Sequence, residues 1–391
     1  MRHIDDAERR ARLVTRHLLD TRAADVLTAT RAVGFLHGTE PANIYLSLAA
    51  RADVGRGDID TALFEERTII RQLAMRRTVF AFDTTLFAAV RGSAAARVEA
   101  QLSARLAKEV AAGGTATDGA AWVEAVCEQV RDSLAEGPLT TAQLRERIPA
   151  MGARIEMSPG KSYGGNFPIA PRVLSVLAAD GGVVRGRNAA GWKVSRPYWT
   201  AVEDWLGADP GALEPREAYA EVVRVWLDRY GPGTEDDIVW WLGATKSIVR
   251  NALGDLGAVE VSLDCGRTGW VLTDDADAVA APGPSAALLP PLDPTAMGWK
   301  ERDFLLGPHA SDIFDRNGNA GATAWIGGRI VGTWAQDDAG AVVVLALDEL
   351  DGGAAGLLDA EAERLSGWLD GDVVRSVYTS PYARRWLAER A

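Results

Sequence analysis

Residues 34–52 read GFLHGTEPANIYLSLAARA. Four of them, His37, Gly38, Thr39 and Glu40, stand directly before Pro41 and an apolar stretch with helical spacing. An imidazole, a hydroxyl and a carboxylate within four residues form a set able to orient and activate a water molecule. An unperturbed imidazole titrates near pH ~6.5, which makes His37 a candidate base at neutral pH. In an extended chain residues 37 and 39 project to one side, and Gly38 leaves room for a close approach by a ligand or water. The same residues also admit a structural reading. Thr39 is then a helix N-cap, Glu40 a first-turn acid favoured by the helix dipole, and His37 a loop histidine without a role. The residues alone leave both readings open. The other histidines, His3, His17 and His309, have no neighbouring constellation. No metal-ligand spacing, phosphate-binding glycine loop or Ser/His/Asp arrangement occurs, so neither a metal nor a cofactor is expected.

The elements that must position this loop belong to a chain of 391 residues with ordinary globular composition, 47% hydrophobic and 25% charged. That length accommodates two to four domains. No apolar run approaches the roughly 20 residues of a membrane span, and the charged N-terminus has no signal-peptide core, so a cytoplasmic protein away from membranes is expected. Cys127 and Cys265 are the only cysteines and imply no disulfide framework. The net charge of −12 argues against nucleic acid as a partner, but a local basic patch decides such binding. Only five of the 42 basic residues are lysines. That bias suits bidentate phosphate contacts and equally reflects a GC-rich genome.

Residues 5–22, 23–33 and 41–52 read as helices, 59–64 and 69–73 as helical, and 76–82 as a strand. A related order follows. Residues 120–134 read as a helix, GPLTTAQLRERI (137–148) as a capped short helix, 170–178 as a third helix, and 181–195 as two strands around a turn. It recurs with a helix at 218–230, GPGTEDDIVWWLG (231–243), a helix at 245–256 and two strands within 258–272. Helix, short helix, helix and a two-stranded wing is the winged-helix order. The two Gly-Pro openings mark an internal duplication, and the first segment reads as a third copy. A linker at 274–286 precedes a lobe of short strands, with a last helix at 360–369 and a final strand at 374–378. The expected fold class is α+β. Its units are 1–110, which carries the loop, then 111–205, 206–275, and a β-rich lobe over 285–391.

Several segments carry a family resemblance. EERTIIRQLAMRRTVF, YGPGTEDDIVWWLG, LLPPLDPTAMGWKERDFL and IGGRIVGTW resemble the signatures of the winged-helix DNA glycosylases of the AlkZ and YcaQ type, across most of the chain. The resemblance implies three tandem winged-helix units and a small C-terminal β-barrel-like lobe. It also implies a monofunctional glycosylase, acting as a monomer on double-stranded DNA that carries alkylated purines. The family's catalytic loop reads L-Q-A-Q-D-P, its glutamines holding the attacking water. Here that frame reads L-H-G-T-E-P, so His37, Thr39 and Glu40 are the implied catalytic residues. Arg76, Arg77, Thr78, Val79 and Phe80 likewise depart from the family's R-G-T-L-H. Replacement of both glutamines points to a specialised branch, such as self-resistance to a DNA-alkylating natural product. The competing class is an inert winged-helix DNA-binding protein or regulator.

In a winged helix the third helix and wing meet DNA, which selects Lys161, Arg172, Arg185, Arg187 and Lys193 in the second unit. In the lobe, FDRNGNAGATAW offers a Gly/Asn-rich turn with Arg316 and Asn317 at its edge, placed to probe the minor groove. Solvated surface residues are the alternative at each position. The tryptophans of IVWWLG are read as core.

Overall fold

In the computed structural model, which describes residues 1–157 and 164–390, one element order occurs three times. A helix leads into a short strand, two helices follow, and two longer strands close the unit. The first helices are Val26–Val33, Gly119–Leu134 and Pro215–Tyr230. In each case the short strand pairs antiparallel with the last strand, and the middle strand lies on the last strand's other side. The spatial orders are Phe35–His37, Val79–Asp83, Ile69–Leu73, then Leu139–Thr140, Pro197–Ala201, Val183–Asn188, then Gly233–Thr234, Thr268–Val271, Val259–Leu263. Such repeated helix and sheet units are consistent with winged-helix architecture. The N-terminal strand Arg2–Ile4 adds to the third sheet in parallel.

Local chemistry starts the helices where the sequence signals them. Asp5 and Asp25 cap Asp6–Arg16 and Val26–Val33 through bonds to the Glu8 and Thr28 amides. Pro41 opens Pro41–Ala49 with its fixed φ. Thr140 and Thr234 each close a capping box, with Gln143 and Asp237.

Three expectations are corrected, and one further element is present. Residues 69–73 form a strand, not a helix. Every residue of Ile69–Leu73 is buried, so the alternation that marks a half-buried strand is absent. The second strand of the middle unit is Pro197–Ala201, beyond the expected 181–195. A hairpin of Arg154–Met157 and Gly165–Pro168 stands between that unit's second and third helices. Residues 374–378 form no strand. The Val374 amide donates to the Gln336 side chain and the Val377 amide to Glu40, so side chains take bonds that a ladder would have used. A helix at Pro381–Ala388 follows.

The C-terminal lobe is an antiparallel sheet of Ala286–Leu289, Thr323–Ile326, Arg329–Gln336 and Val342–Ala346, in chain order. The Gly352–Leu369 helix buries Leu358, Leu365 and Leu369 against it. The lobe is joined to the first unit by a fully buried ion pair, Arg51 with Asp293. No helix among the described residues is long and apolar enough to cross a membrane.

Candidate active site

The loop at 37–40 is held from both ends. His37 ends a strand and lies opposite Phe80, and the Gly38 amide extends the ladder by donating to the Val79 carbonyl at 2.7 Å. A Cβ on Gly38 would meet Ile44 Cδ1, Val79 Cγ1 and the Val79 oxygen, each at 3.3 Å. The space that glycine leaves is therefore filled by the protein's own chain, not kept for DNA. The chain then bends through Thr39 and Glu40 and enters the Pro41–Ala49 helix.

The repeats make Glu40 informative. In the second and third units the residue directly before the helix that follows the short strand is a capping threonine, Thr140 or Thr234. In the first unit it is Glu40, which makes no capping bond. Its carboxylate turns to the C-terminal lobe instead. Oε2 accepts from the Ser376 hydroxyl at 2.6 Å and Oε1 from the Val377 amide at 3.0 Å, with Asn43 Nδ2 at 3.5 Å from Oε2. The structural reading of Glu40 as a simple helix-start acid does not account for these bonds. A carboxylate oxygen has two acceptor sites. Oε1, with a single donor, retains a lone pair for a water or for a developing positive charge.

The surroundings of His37 disfavour the charged imidazolium that a base at neutral pH would become. Its ring packs edge-on to Phe80, with centroids 5.7 Å apart, and Nδ1 is buried without a partner. Burial first, and then the positive charge of Arg76, lower its pKa to about 3, against a weaker opposing pull from Asp293. The imidazole is neutral at physiological pH and acts there as a polar, uncharged group. Thr39 is exposed. Among the described residues no hydrogen bond joins the His37, Thr39 and Glu40 side chains to one another. They share one bend but point to different neighbours.

The expected DNA contacts divide into two groups. Arg172 is half-buried and paired with Glu109. Arg185 is half-buried, its guanidinium 4.3 Å from the Trp199 ring centre. Arg187 bonds Asp60 at 2.5 Å, and Lys193 bonds Asp372 at 2.7 Å. Lys161 lies outside the described residues. Arg316 and Asn317 are exposed on a turn pinned by Asp315, whose carboxylate accepts from the Asn317 and Asn319 amides. Sequence reasoning missed Ser376, which no local signal marks, and the group of Arg76, Trp240 and Arg302. Trp241 is core as expected, but Trp240 is half-exposed and carries two guanidinium groups.

The family model for "DNA glycosylase AlkZ-like" matches residues 30–368. The chain belongs to this family. A curated relative, the interstrand DNA cross-link repair glycosylase of Streptomyces sahachiroi, is 32% identical over 178 residues. That match covers 41% of this chain and 45% of the relative, less than half the length of each. The solved structure of the Streptomyces sahachiroi DNA glycosylase AlkZ superposes with a TM-score of 0.73, over 93% of this chain and 97% of that one, at 22% identity. At that identity the superposition establishes the fold.

The Ser376 hydroxyl holds the Glu40 carboxylate from the C-terminal lobe. A hydrogen bond to a charged group contributes about 1.5–3 kcal/mol, so Ser376→Ala is expected to slow single-turnover base release about tenfold or more. Ser376→Thr restores the hydroxyl and most of the rate. In a Glu40→Gln background Ser376→Ala adds little, because the two act as a unit. Equal losses in both backgrounds refute the assignment.

Proposed function

We propose that the chain is a monofunctional DNA glycosylase that hydrolyses the N-glycosidic bond of bulky N7-alkylated purines in double-stranded DNA. The observation that carries this reading is Glu40, a carboxylate released from capping and held by the C-terminal lobe in the loop where the family places its water-binding residues. Three tandem winged-helix units (1–110, 111–205 and 206–275) and a barrel-like lobe (285–391) enclose the DNA, and the protein acts as a monomer.

A purine alkylated at N7 is cationic and already a good leaving group. As the bond from C1′ to N9 breaks, its electron pair passes to the purine, which leaves neutral, and positive charge develops on the sugar. Water attacks C1′ and gives its proton to Glu40, whose charge also stabilises the oxocarbenium-like sugar. Neutral His37 and the Thr39 hydroxyl orient the water. Acid catalysis at the base is not required. The substrate class follows from this chemistry and from the name of the curated relative, and the setting is repair of, or self-resistance to, a DNA-alkylating natural product.

The test is base release from duplexes carrying small N7-methylguanine or bulky natural-product adducts, in the presence of EDTA. The expected result is a free alkylated base and an abasic site with an uncut backbone. No release from any adduct, with DNA binding retained, refutes the enzyme and favours an inert winged-helix DNA-binding protein.

A further inference from the structure

Arg76 and Arg302 are 226 positions apart in the chain, yet both lie on one indole. Their guanidinium carbons stand 4.1 and 5.2 Å from the centre of the Trp240 ring, and Arg302 is also 4.4 Å from that of Phe314. Among the described residues neither has a carboxylate partner. Arg76 Nε is buried and unbonded. Arg302 donates Nε to the Trp299 carbonyl at 3.0 Å, and its Nη1 faces the Met297 sulfur at 3.8 Å. Burial lowers both pKa values to about 10, and for Arg302 the charge of Arg76 adds to the shift while that of Asp237 opposes it. Both therefore remain charged at neutral pH.

Two half-buried like charges, neither bonded to a carboxylate among the described residues, are unfavourable in a protein that has acidic side chains to spare. Arg187 and Lys193 illustrate the ordinary solution, since each is paired with a carboxylate. Backbone strain at Arg76 adds to the cost. Arg76 and Arg77 both adopt left-handed φ, 53° and 59°, a conformation unfavourable for a non-glycine residue. A strained turn that holds an unpaired guanidinium against an indole is arranged for an anion from outside. Planar guanidinium groups match a phosphate in bidentate fashion. Arg76 lies close enough to His37 to act on its titration, which sets the site beside the candidate catalytic loop. Phe314 leads from Arg302 directly into the turn of Arg316 and Asn317.

We propose that Arg76 and Arg302, supported by Trp240, bind one backbone phosphate of the DNA strand next to the nucleotide presented to the 37–40 loop. The inference rests on the reading of DNA as substrate, but its test needs no catalysis.

The experiment measures binding to a duplex with a single tetrahydrofuran abasic-site analogue. One neutral methylphosphonate linkage is moved stepwise from three positions 5′ to three positions 3′ of the analogue. For the unaltered protein one linkage near the analogue should lower affinity about tenfold. That linkage should cost Arg76→Gln and Arg302→Gln almost nothing, and each variant should lower the slope of log affinity against log salt by about 1. A scan of the unaltered protein with no sensitive linkage overturns the proposal whether or not the variants fold. So does a sensitive linkage that penalises the variants by the same factor. The analogue carries no base, so this result is independent of base release. Failure to excise an adduct leaves the phosphate site standing, and loss of the site leaves the glycosylase reading standing.

Discussion

Glu40→Gln is expected to lower the single-turnover rate of base release by about 10²-fold or more, within the usual range for loss of a general base, while affinity for DNA stays nearly intact. Glutamine keeps the size of the side chain but can neither take the water's proton nor offset charge on the sugar. Folding should be little affected, because the residue is only half-buried and caps no helix. The pH profile supplies an independent readout. Burial and Arg76 hold His37 neutral down to about 3, so the rate of the unaltered protein should show no bend at the ordinary histidine value of 6.5. A bend there that His37→Gln abolishes would restore the imidazole as base. Full activity in Glu40→Gln would remove the 37–40 loop as the centre of the chemistry.

The second large effect concerns the joint that brings the lobe to the loop. Arg51 donates to both oxygens of Asp293, at 2.9 and 2.7 Å, and both side chains are fully buried. Ser47 and the Thr295 amide satisfy the carboxylate further, at 2.5 and 2.9 Å. Arg51 also donates to the His17 carbonyl at 3.1 Å and the Thr295 hydroxyl at 2.7 Å. Asp293→Ala leaves a guanidinium buried without its partner, and loss of one member of such a pair costs about 3–5 kcal/mol. The midpoint of urea or thermal unfolding should fall accordingly. Replacing both members, as Arg51→Met with Asp293→Leu, should cost much less, because no isolated charge then remains. A loss below about 1 kcal/mol for Asp293→Ala would mean that water reaches the joint.

Much of the local order was legible. The Gly-Pro openings with a threonine three residues after each glycine located two short capped helices, because a capping box depends on residues within one turn. Pro41 located a third in the same way. Ile69–Leu73 was misread because a strand buried on both faces loses the alternation that identifies strands. Residues 374–378 looked like a strand by composition. Composition does not reveal that Glu40 and Gln336 accept the amides a ladder would use.

The candidate site divides along the same line. The residue types at 37–40, and their position before a proline-started helix, are properties of the sequence alone. So is the family frame that makes the loop worth attention. Which of those residues remains a usable base was decided by tertiary structure, because a pKa depends on what surrounds the ring, and Phe80 and Arg76 reach it only after folding. The partner of Glu40 is Ser376, 336 positions away, and the Arg76, Trp240 and Arg302 group comes from three separate segments. Hydrogen bonds and stacking act over a few ångströms, whereas propensity and periodicity extend only a turn or two along the chain. Contacts closed across hundreds of residues therefore leave no pattern in the local sequence.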